Sequence, residues 1–273
     1  MMANQSAIAV DLDGTILNAQ GTLDLRAASV LTDAATRGVQ LVAVTGRGAP
    51  RMEAALRDHG GVLSGSRYVA VEQGGRVLDK DRREIYYQPI FAPNIHRLFD
   101  ALPAGVEFIA FHPRSAPNWS VVWSPLDTVR DRLRNQFKNA TFVDEPATVV
   151  RDLAVEAAPC MITVRLLSSA QLTDSHSVTW MGQNLTLVAS PHTKAEALAE
   201  ISKRSGFDLG QTIVAGDDWP DAPMLALVPP ANRIVVGQTL IGSEIDGKDV
   251  LHCARPEVLP EILRHAIGEN FGE

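Results

Sequence analysis

Cysteine is scarce in this chain: only Cys160 and Cys253 occur among 273 residues. Two cysteines this far apart make no disulfide framework, and a reducing compartment is expected. Long apolar runs are missing as well, with nothing approaching the roughly 20 residues of a membrane-spanning helix. The opening segment, MMANQSAIAVDLDG, has no basic stretch followed by a long apolar one. Acids arrive by position 11, so no secretory leader is expected. Positive charge is also in short supply, at 25 Lys and Arg against 32 Asp and Glu, for a net charge of −7. A nucleic-acid binder would carry clustered basic surface, so that class is set aside. These absences leave a cytoplasmic chain with neither a membrane nor a nucleic-acid partner, and they leave its oligomeric state open.

What is present is ordinary for a globular protein. Hydrophobic residues make up 45% and charged residues 21%, enough for one large core or two modest ones. The first part of the chain alternates. AIAVDL (7–12) reads as a buried strand, and DLRAASVLTDAATRG (24–38) as a helix stopped by Gly38. VQLVAV (39–44) is a second strand, and PRMEAALRDH (50–59) a helix opened by Pro50. YVAVEQGGRVLD (68–79) reads as strand, Gly-Gly turn and strand. Alternation of this kind predicts a parallel sheet with crossover helices.

Between about 81 and 187 the pattern becomes mixed. NIHRLFDAL (94–102) reads as a helix, VEFIAFHP (106–113) and NWSVVWSP (118–125) as strands, LDTVRDRLRNQF (126–137) as an amphipathic helix, and CMITVRLL (160–167) as a strand. The alternation then resumes with a helix at 193–206, a strand from 211 that runs into acids, a strand at 233–237 and a closing helix at 256–268. The expected architecture is α/β: a parallel-sheet core over 1–80 and 188–273, interrupted by an inserted α+β domain over 81–187.

Three apolar strands end in chemically capable residues: Val10 before Asp11, Val44 before Thr45, and Ala215 before Gly216-Asp217. Parallel strands bring such ends to one edge of the sheet, where α/β proteins bind ligands. Asp11, Asp13, Thr45, Asp217, Asp218 and Asp221 are therefore expected to converge. So many carboxylates on one rim need a cation, and an all-oxygen donor set points to Mg²⁺ or Ca²⁺. A carboxylate can also attack phosphorus. Thr45 suits a phosphate oxygen, Gly46 offers an unobstructed backbone N–H, and Lys194 can balance the charge. Asp13, two residues along an extended chain, faces the same way as Asp11 and suits proton transfer.

Together DLDGT (11–15), VTGR (44–47), Lys194 and GDDWPD (216–221) resemble the four ordered motifs of the haloacid dehalogenase (HAD) superfamily phosphatases. An insert between the second and third motifs resembles the C2B-capped branch, which includes Cof-type, sucrose-phosphate, trehalose-phosphate and mannosyl-3-phosphoglycerate phosphatases. The resemblance implies a Rossmannoid core and a cap that closes over the site. It implies Asp11 as nucleophile and Asp13 as general acid and base, with Thr45, Gly46 and Lys194 on the phosphate. It also implies Mg²⁺ held by Asp11, the Asp13 carbonyl and Asp217, with Asp218 and Asp221 in outer positions. The implied substrate is a small phosphorylated molecule, a sugar phosphate. A phosphosugar mutase and a non-catalytic module for a phosphorylated ligand are the alternatives.

Two positions depart from the Cof-type pattern. Pro220 stands where G-D-x-x-N-D has its Asn, and Gln73-Gly74-Gly75 stands where Asn-Gly-Ala is usual. The bland readings also remain. Asp11 and Asp13 alone make a polar turn, Thr45-Gly46-Arg47 alone a helix cap, Arg47 a structural cation, and Lys194 alone a surface charge. His112, Arg114, Trp119 and Trp123 suit a sugar platform but more simply pack a small sheet. His176 and His192 lack zinc spacing, and Cys160 in its apolar strand is expected to be buried and inert.

Overall fold

A computed structural model describes residues 5–58, 66–90, 95, 105–111, 114, 120–136, 140–144, 159–166, 179–181, 186–190 and 192–271. The chain divides into two compact units. One comprises 1–47, 51–86 and 193–273, and the other 48–50 and 87–192.

The first unit is built on an eight-stranded sheet. Its strands are β1 (Gln5–Val10), β2 (Gln40–Val44), β3 (Tyr68–Val71), β4 (Arg76–Asp79), β5 (Glu84–Tyr87), β12 (Phe207–Gly216), β13 (Arg233–Val236) and β14 (Leu251–Cys253). The order across the sheet is β14-β13-β12-β1-β2-β3-β4-β5. Every pair from β14 to β3 is parallel, and β4 returns antiparallel to β3. Ala7, Ile8, Ala9, Val42, Ala43 and Val44 are all buried. Such unbroken apolar runs are what a strand covered on both faces requires.

Helices supply those covers. α4 (Lys194–Ser205) and α5 (Ala222–Leu225) place Ala197, Leu198, Ile201, Met224 and Leu225 against Ala7, Ala9, Val42 and Val44. α1 (Leu25–Thr36) and α6 (Leu259–Phe271) pack on each other, α1 also on β2, and α6 on β12 and β14. The helix ends follow local chemistry. Asp24 accepts the Arg26 N–H at 2.8 Å and so caps α1. At the far end Gly38 (φ +89) donates to Ala35 and Val39 donates to Ala34, closing the last turn as a Schellman motif. Thr193 and Glu196 form a reciprocal capping box at the start of α4. That box fixes where Lys194 begins its helix. α2 spans Ala49–Asp58.

Several expectations shift. β12 starts at Phe207 rather than 211, because Phe207 is buried and pairs with Gln5 across a register break before Ala7↔Thr212. The sheet extends through β5, past position 80, and β14 adds an edge strand that the sequence pattern did not mark.

The second unit carries a six-stranded sheet ordered β10-β11-β9-β6-β7-β8. Its strands are β6 (Val106–Phe111), β7 (Ser120–Trp123), β8 (Ala140–Val143), β9 (Ile162–Leu166), β10 (Thr179–Met181) and β11 (Thr186–Ser190). Pairing is antiparallel except between β7 and β8. A parallel pair needs a crossover, which α3 (Asp127–Gln136) provides. Val129 and Leu133 of α3 pack on Phe108, Ala110 and Val122. Glu107, on the same sheet, pairs with Arg132 and Arg165. Cys160 is buried. Trp123 donates its indole N–H to the Asp144 carbonyl at 3.2 Å, and the exposed Arg114 stacks 4.4 Å from the Tyr87 ring centre. His112, Trp119, His176 and all of the 94–102 helix except Ile95 lie outside the described residues. Among the described residues no helix is long and apolar enough to cross a membrane.

Candidate active site

Register decides which residues meet. Val10 lies opposite both Ala43 and Ala215, and Val44 lies opposite Ala70. The backbone ladder continues one residue further, through Asp11 N–H to the Ala215 carbonyl (3.0 Å) and Thr45 N–H to the Ala70 carbonyl (2.9 Å). Asp11, Thr45, Glu72 and Asp217 therefore follow directly on four neighbouring strand ends. Beside these ends lies a cleft of about 310 Å³ lined by Asp11, Asp13, Gly46, Arg47, Arg51, Gln73, Lys194, Asp217, Asp218, Pro220 and Asp221.

Lys194 ties the centre together. Its Nζ donates to Asp11 Oδ1 and to Asp221 Oδ1, each at 2.6 Å, and all three residues are at most 4% exposed. Burial opposes its charge, but the two carboxylates outweigh that and raise its pKa. The bland alternative of a surface charge is thus excluded for Lys194. Asp221 accepts two further hydrogen bonds on Oδ2, from the backbone N–H of Asp217 (3.0 Å) and of Asp218 (3.2 Å). It therefore folds the acidic loop back onto Lys194. Gly216 makes this approach possible, since a Cβ there would lie 2.5 Å from the Asp221 Cβ. Asp218 caps the short turn that follows by accepting the Trp219 N–H at 2.8 Å.

Asp217 accepts a hydrogen bond of its own on Oδ1, from the Thr15 hydroxyl at 2.7 Å. It packs on Gly14, whose φ of +84 and missing Cβ are both required: a Cβ would sit 2.2 Å from Asp217 Oδ2. Burial raises the Asp217 carboxyl to about 6, and the nearby Asp221 and Asp218 add to this, while Thr15 and Lys194 act against it. Asp11 is likewise pushed well above the ordinary carboxylate range, by burial first and then by Asp221 and Asp217, despite Lys194. The cleft holds five carboxylates and three cations. It is thus short of positive charge where the acids are most buried.

Carboxylate oxygens of Asp11, Asp217 and Asp221 lie within 4.8 Å of one another, close enough to share an ion. Hydrogen bonding separates their roles. Both Asp221 oxygens are already committed to Lys194 and the loop, whereas Asp11 Oδ2 and Asp217 Oδ2 accept no hydrogen bond among the described residues. The Asp13 carbonyl is equally unused, since Ile16 and Leu17 both donate to Leu12 instead. Carboxylates and peptide carbonyls are the hard oxygen donors that Mg²⁺ takes.

Asp13 is exposed, and Arg47 grips both of its carboxylate oxygens, with Nε 2.6 Å from Oδ2 and a second nitrogen on Oδ1. This pairing raises the Arg47 pKa. The sequence alone offers Arg47 as a structural cation, and no local pattern links it to Asp13, 34 residues away. Thr45 Oγ1 accepts the Arg47 N–H at 3.1 Å, and Thr45 is fully buried. Gly46 is needed for more than an open N–H: a Cβ there would lie 2.4 Å from Gln73 Nε2. The role of Thr15 also escaped the sequence reading, although its place in DLDGT was the available signal.

Known proteins share this fold. The chain matches the haloacid dehalogenase-like hydrolase family over residues 8–231. No curated protein matches it. Among solved structures it is similar to BT1666 from Bacteroides thetaiotaomicron, studied as a phosphatase of that superfamily, with 16% identity, 96% of this chain and 95% of that one covered, and a TM-score of 0.70. It is similar to the subclass IIB sugar phosphatase BT4131, at 15% identity, 96% and 98% coverage and a TM-score of 0.70. SMU.1108c from Streptococcus mutans is similar at 14% identity, 97% and 99% coverage and a TM-score of 0.74. These three likenesses concern the fold, while the family match spans most of the sequence, from the first strand to beyond the GDDWPD loop: the chain belongs to the haloacid dehalogenase-like hydrolases.

Proposed function

We propose that this hydrolase is a phosphatase that cleaves phosphate monoesters through an aspartyl-phosphate on Asp11, with Mg²⁺ as cofactor and a sugar phosphate as substrate. The observation that carries the reading is the buried Lys194 bridging Asp11 and Asp221 at 2.6 Å each. A lysine that served only the surface would not be buried against two acids.

In the first step an Asp11 oxygen attacks phosphorus as the ester P–O bond breaks, and Asp13 gives its proton to the departing alcohol. In the second, Asp13 takes a proton from water, the water oxygen attacks the aspartyl-phosphate, and inorganic phosphate leaves Asp11 free. Lys194 fixes the orientation of the Asp11 carboxylate in both steps. Thr45 and Gly46 are read as the donors to phosphate oxygens. Asp13 exchanges its Arg47 contacts for the ester oxygen, which releases Arg47 toward the added negative charge. Asp11, Asp217 and the Asp13 carbonyl would hold Mg²⁺, which supplies positive charge against the phosphate and the acids. Asp218 and Asp221 shape the loop that presents Asp217. The inserted unit over 81–187 is read as the cap that selects the alcohol.

The test is phosphate release with Mg²⁺ from a panel containing trehalose 6-phosphate, sucrose 6-phosphate, mannosyl-3-phosphoglycerate and hexose phosphates. Asp11→Asn should abolish release. No turnover of any ester, or full activity of Asp11→Asn, would refute the reading, and phosphoryl transfer without free phosphate would identify a mutase.

A further inference from the structure

One buried ion pair has no part in the chemistry above. Glu72 and Arg76 are 1% and 3% exposed, and Arg76 Nε lies 3.8 Å from Glu72 Oε2. The same Nε lies 3.4 Å from Glu84 Oε2 on β5. Arg76 opens β4 opposite Val71, so the pair spans the turn that joins β3 to β4. Such a turn can be built without charge, since a tight hairpin asks only for residues such as glycine or asparagine at its left-handed positions. Here Glu72 (φ 57) and Gln73 (φ 59) precede Gly74 (φ 93). A glutamate in this conformation is strained, and its carboxylate loses water on burial. Apolar residues of similar size often serve stability as well as a buried ion pair or better. Two costs therefore fall on one residue, and stability does not account for them.

The backbone of the turn shows what they secure. The Glu72 N–H donates to the Arg47 carbonyl (2.9 Å), and the Gln73 N–H donates to the Thr45 carbonyl (3.2 Å). The turn thus directs two successive N–H groups at the loop after β2. From that loop the Arg47 side chain reaches Asp13, with Nε 2.6 Å from Oδ2 and a second nitrogen on Oδ1. On its other side the turn meets the start of α4, where a Cβ on Gly74 would lie 2.5 Å from the Thr193 carbonyl oxygen. Arg76 is not among the residues lining the cleft. Its influence on the site runs through Glu72, the Arg47 backbone and the Arg47 side chain to Asp13.

We propose that Arg76 is a positioning residue for proton transfer: by pairing with Glu72 it fixes the left-handed turn, and through the turn it sets the grip of Arg47 on Asp13. This rests on the phosphatase reading above and deepens it at the step where Asp13 protonates the leaving alcohol.

The test uses the double variant Glu72→Gln/Arg76→Met, which removes both charges, keeps most of the bulk and leaves neither partner as an unpaired buried charge. Arg76→Lys keeps the positive charge and serves as the conservative variant. For each, kcat/KM is measured with benzyl phosphate, whose alcohol needs a proton as it leaves, and with p-nitrophenyl phosphate, whose phenolate leaves without one. The ratio of the two cancels any loss of folded enzyme. The double variant should lower the benzyl-to-nitrophenyl ratio by about tenfold, and Arg76→Lys should recover part of it. A ratio within about threefold of the parent overturns the proposal, whether both rates fall together or neither falls. Should the double variant not fold, Arg76→Gln, which keeps a hydrogen-bond donor beside Glu72, takes the same test with the same limits. A second arm needs no turnover. In nitrogen-15 NMR the Arg47 Nε–H signal, identified by its loss in Arg47→Lys, should shift in the double variant. The Nε–H signal of Arg26, which is bound to Asp24, should stay in place and report an intact fold. An unmoved Arg47 signal overturns the proposal. If the parent cleaves neither ester while the Arg47 signal moves, the phosphatase reading fails and the positioning of Arg47 on Asp13 stands.

Discussion

Replacing Lys194 with methionine isolates the electrostatics of the centre, because methionine fills most of the same space without the charge. The variant leaves Asp11 and Asp221, 3% and 1% exposed, facing each other without their shared cation. Breaking a buried pair in this way costs about 3–5 kcal/mol, since the surviving charge keeps its desolvation penalty. The acids have one escape, which is to take up protons. For a carboxyl with an unfolded pKa near 4, that costs about 5 kcal/mol per group at pH 7.5 but only about 1.5 kcal/mol at pH 5. The loss of stability in metal-free Lys194→Met should therefore be about 3–5 kcal/mol at pH 7.5 and shrink to roughly 1–3 kcal/mol at pH 5.

The parent provides the sign check. Its Lys194 pKa is raised, so the stability that lysine contributes is fully present below about pH 10 and is lost only as pH rises beyond that. The lysine itself then contributes no change between pH 7.5 and 5, so the narrowing of the deficit comes from the carboxylates, whose uptake of protons is favoured more in the variant than in the parent. Urea unfolding in the presence of EDTA at the two pH values is the assay. A deficit below about 1 kcal/mol at pH 7.5, or one that fails to shrink by pH 5, would refute the account of a lysine held by two desolvated acids. Added Mg²⁺ should return part of the loss by mass action, while kcat should stay depressed by about two to three orders of magnitude.

Other consequences follow from the same geometry. Asp217, raised to about 6, binds its proton in the folded chain at a pH where the unfolded chain has released it. Its contribution to metal-free stability should increase as pH falls from about 6 to 4, by on the order of 2 kcal/mol, and Asp217→Asn should remove that slope in denaturation curves. Protons should compete with Mg²⁺ in the same range, so apparent Mg²⁺ affinity measured by calorimetry should drop steeply below about pH 6. Gly216→Ala places a methyl 2.5 Å from the Asp221 Cβ and should cost about 1–3 kcal/mol, whereas Gly14→Ala displaces Asp217 and should show chiefly as weakened Mg²⁺ binding in titrations. Asp24 behaves in the opposite sense from Asp217. Its hydrogen bonds from Arg26 lower its pKa, so its stabilisation is present above about pH 4 and lost as pH falls through the folded value. Asp24→Ala should cost about 1 kcal/mol at pH 7, read from the thermal midpoint, with no change in kcat.

The legible part of this site is the part that strand periodicity carries. A fully buried parallel strand is a continuous apolar run, and its end is where that run meets polar residues, so Asp11, Thr45 and Asp217 could be placed on one rim before any coordinates. Lys194 was reachable because helical spacing placed it at the start of the 193–206 helix. Three things were not legible, for one common reason. The Arg47–Asp13 pair, the Thr15–Asp217 bond and the burial of Gln73 are contacts between different strand ends, and nothing in the local pattern of either partner encodes the other. Gln73 is the clearest case. In sequence it appears as a long polar residue beside two glycines, which reads as an ordinary hairpin turn. Its burial depends on two left-handed residues that Arg47 and Thr45 hold through backbone carbonyls, and on the missing side chain at Gly46. Each of those residues had a sufficient explanation by itself, Thr45 and Gly46 for phosphate and Arg47 as a cation. Only their juxtaposition shows that the loop after β2 is also the seat of the carboxamide. The two turns are thus coupled through one close approach, and a side chain at Gly46 should displace Gln73.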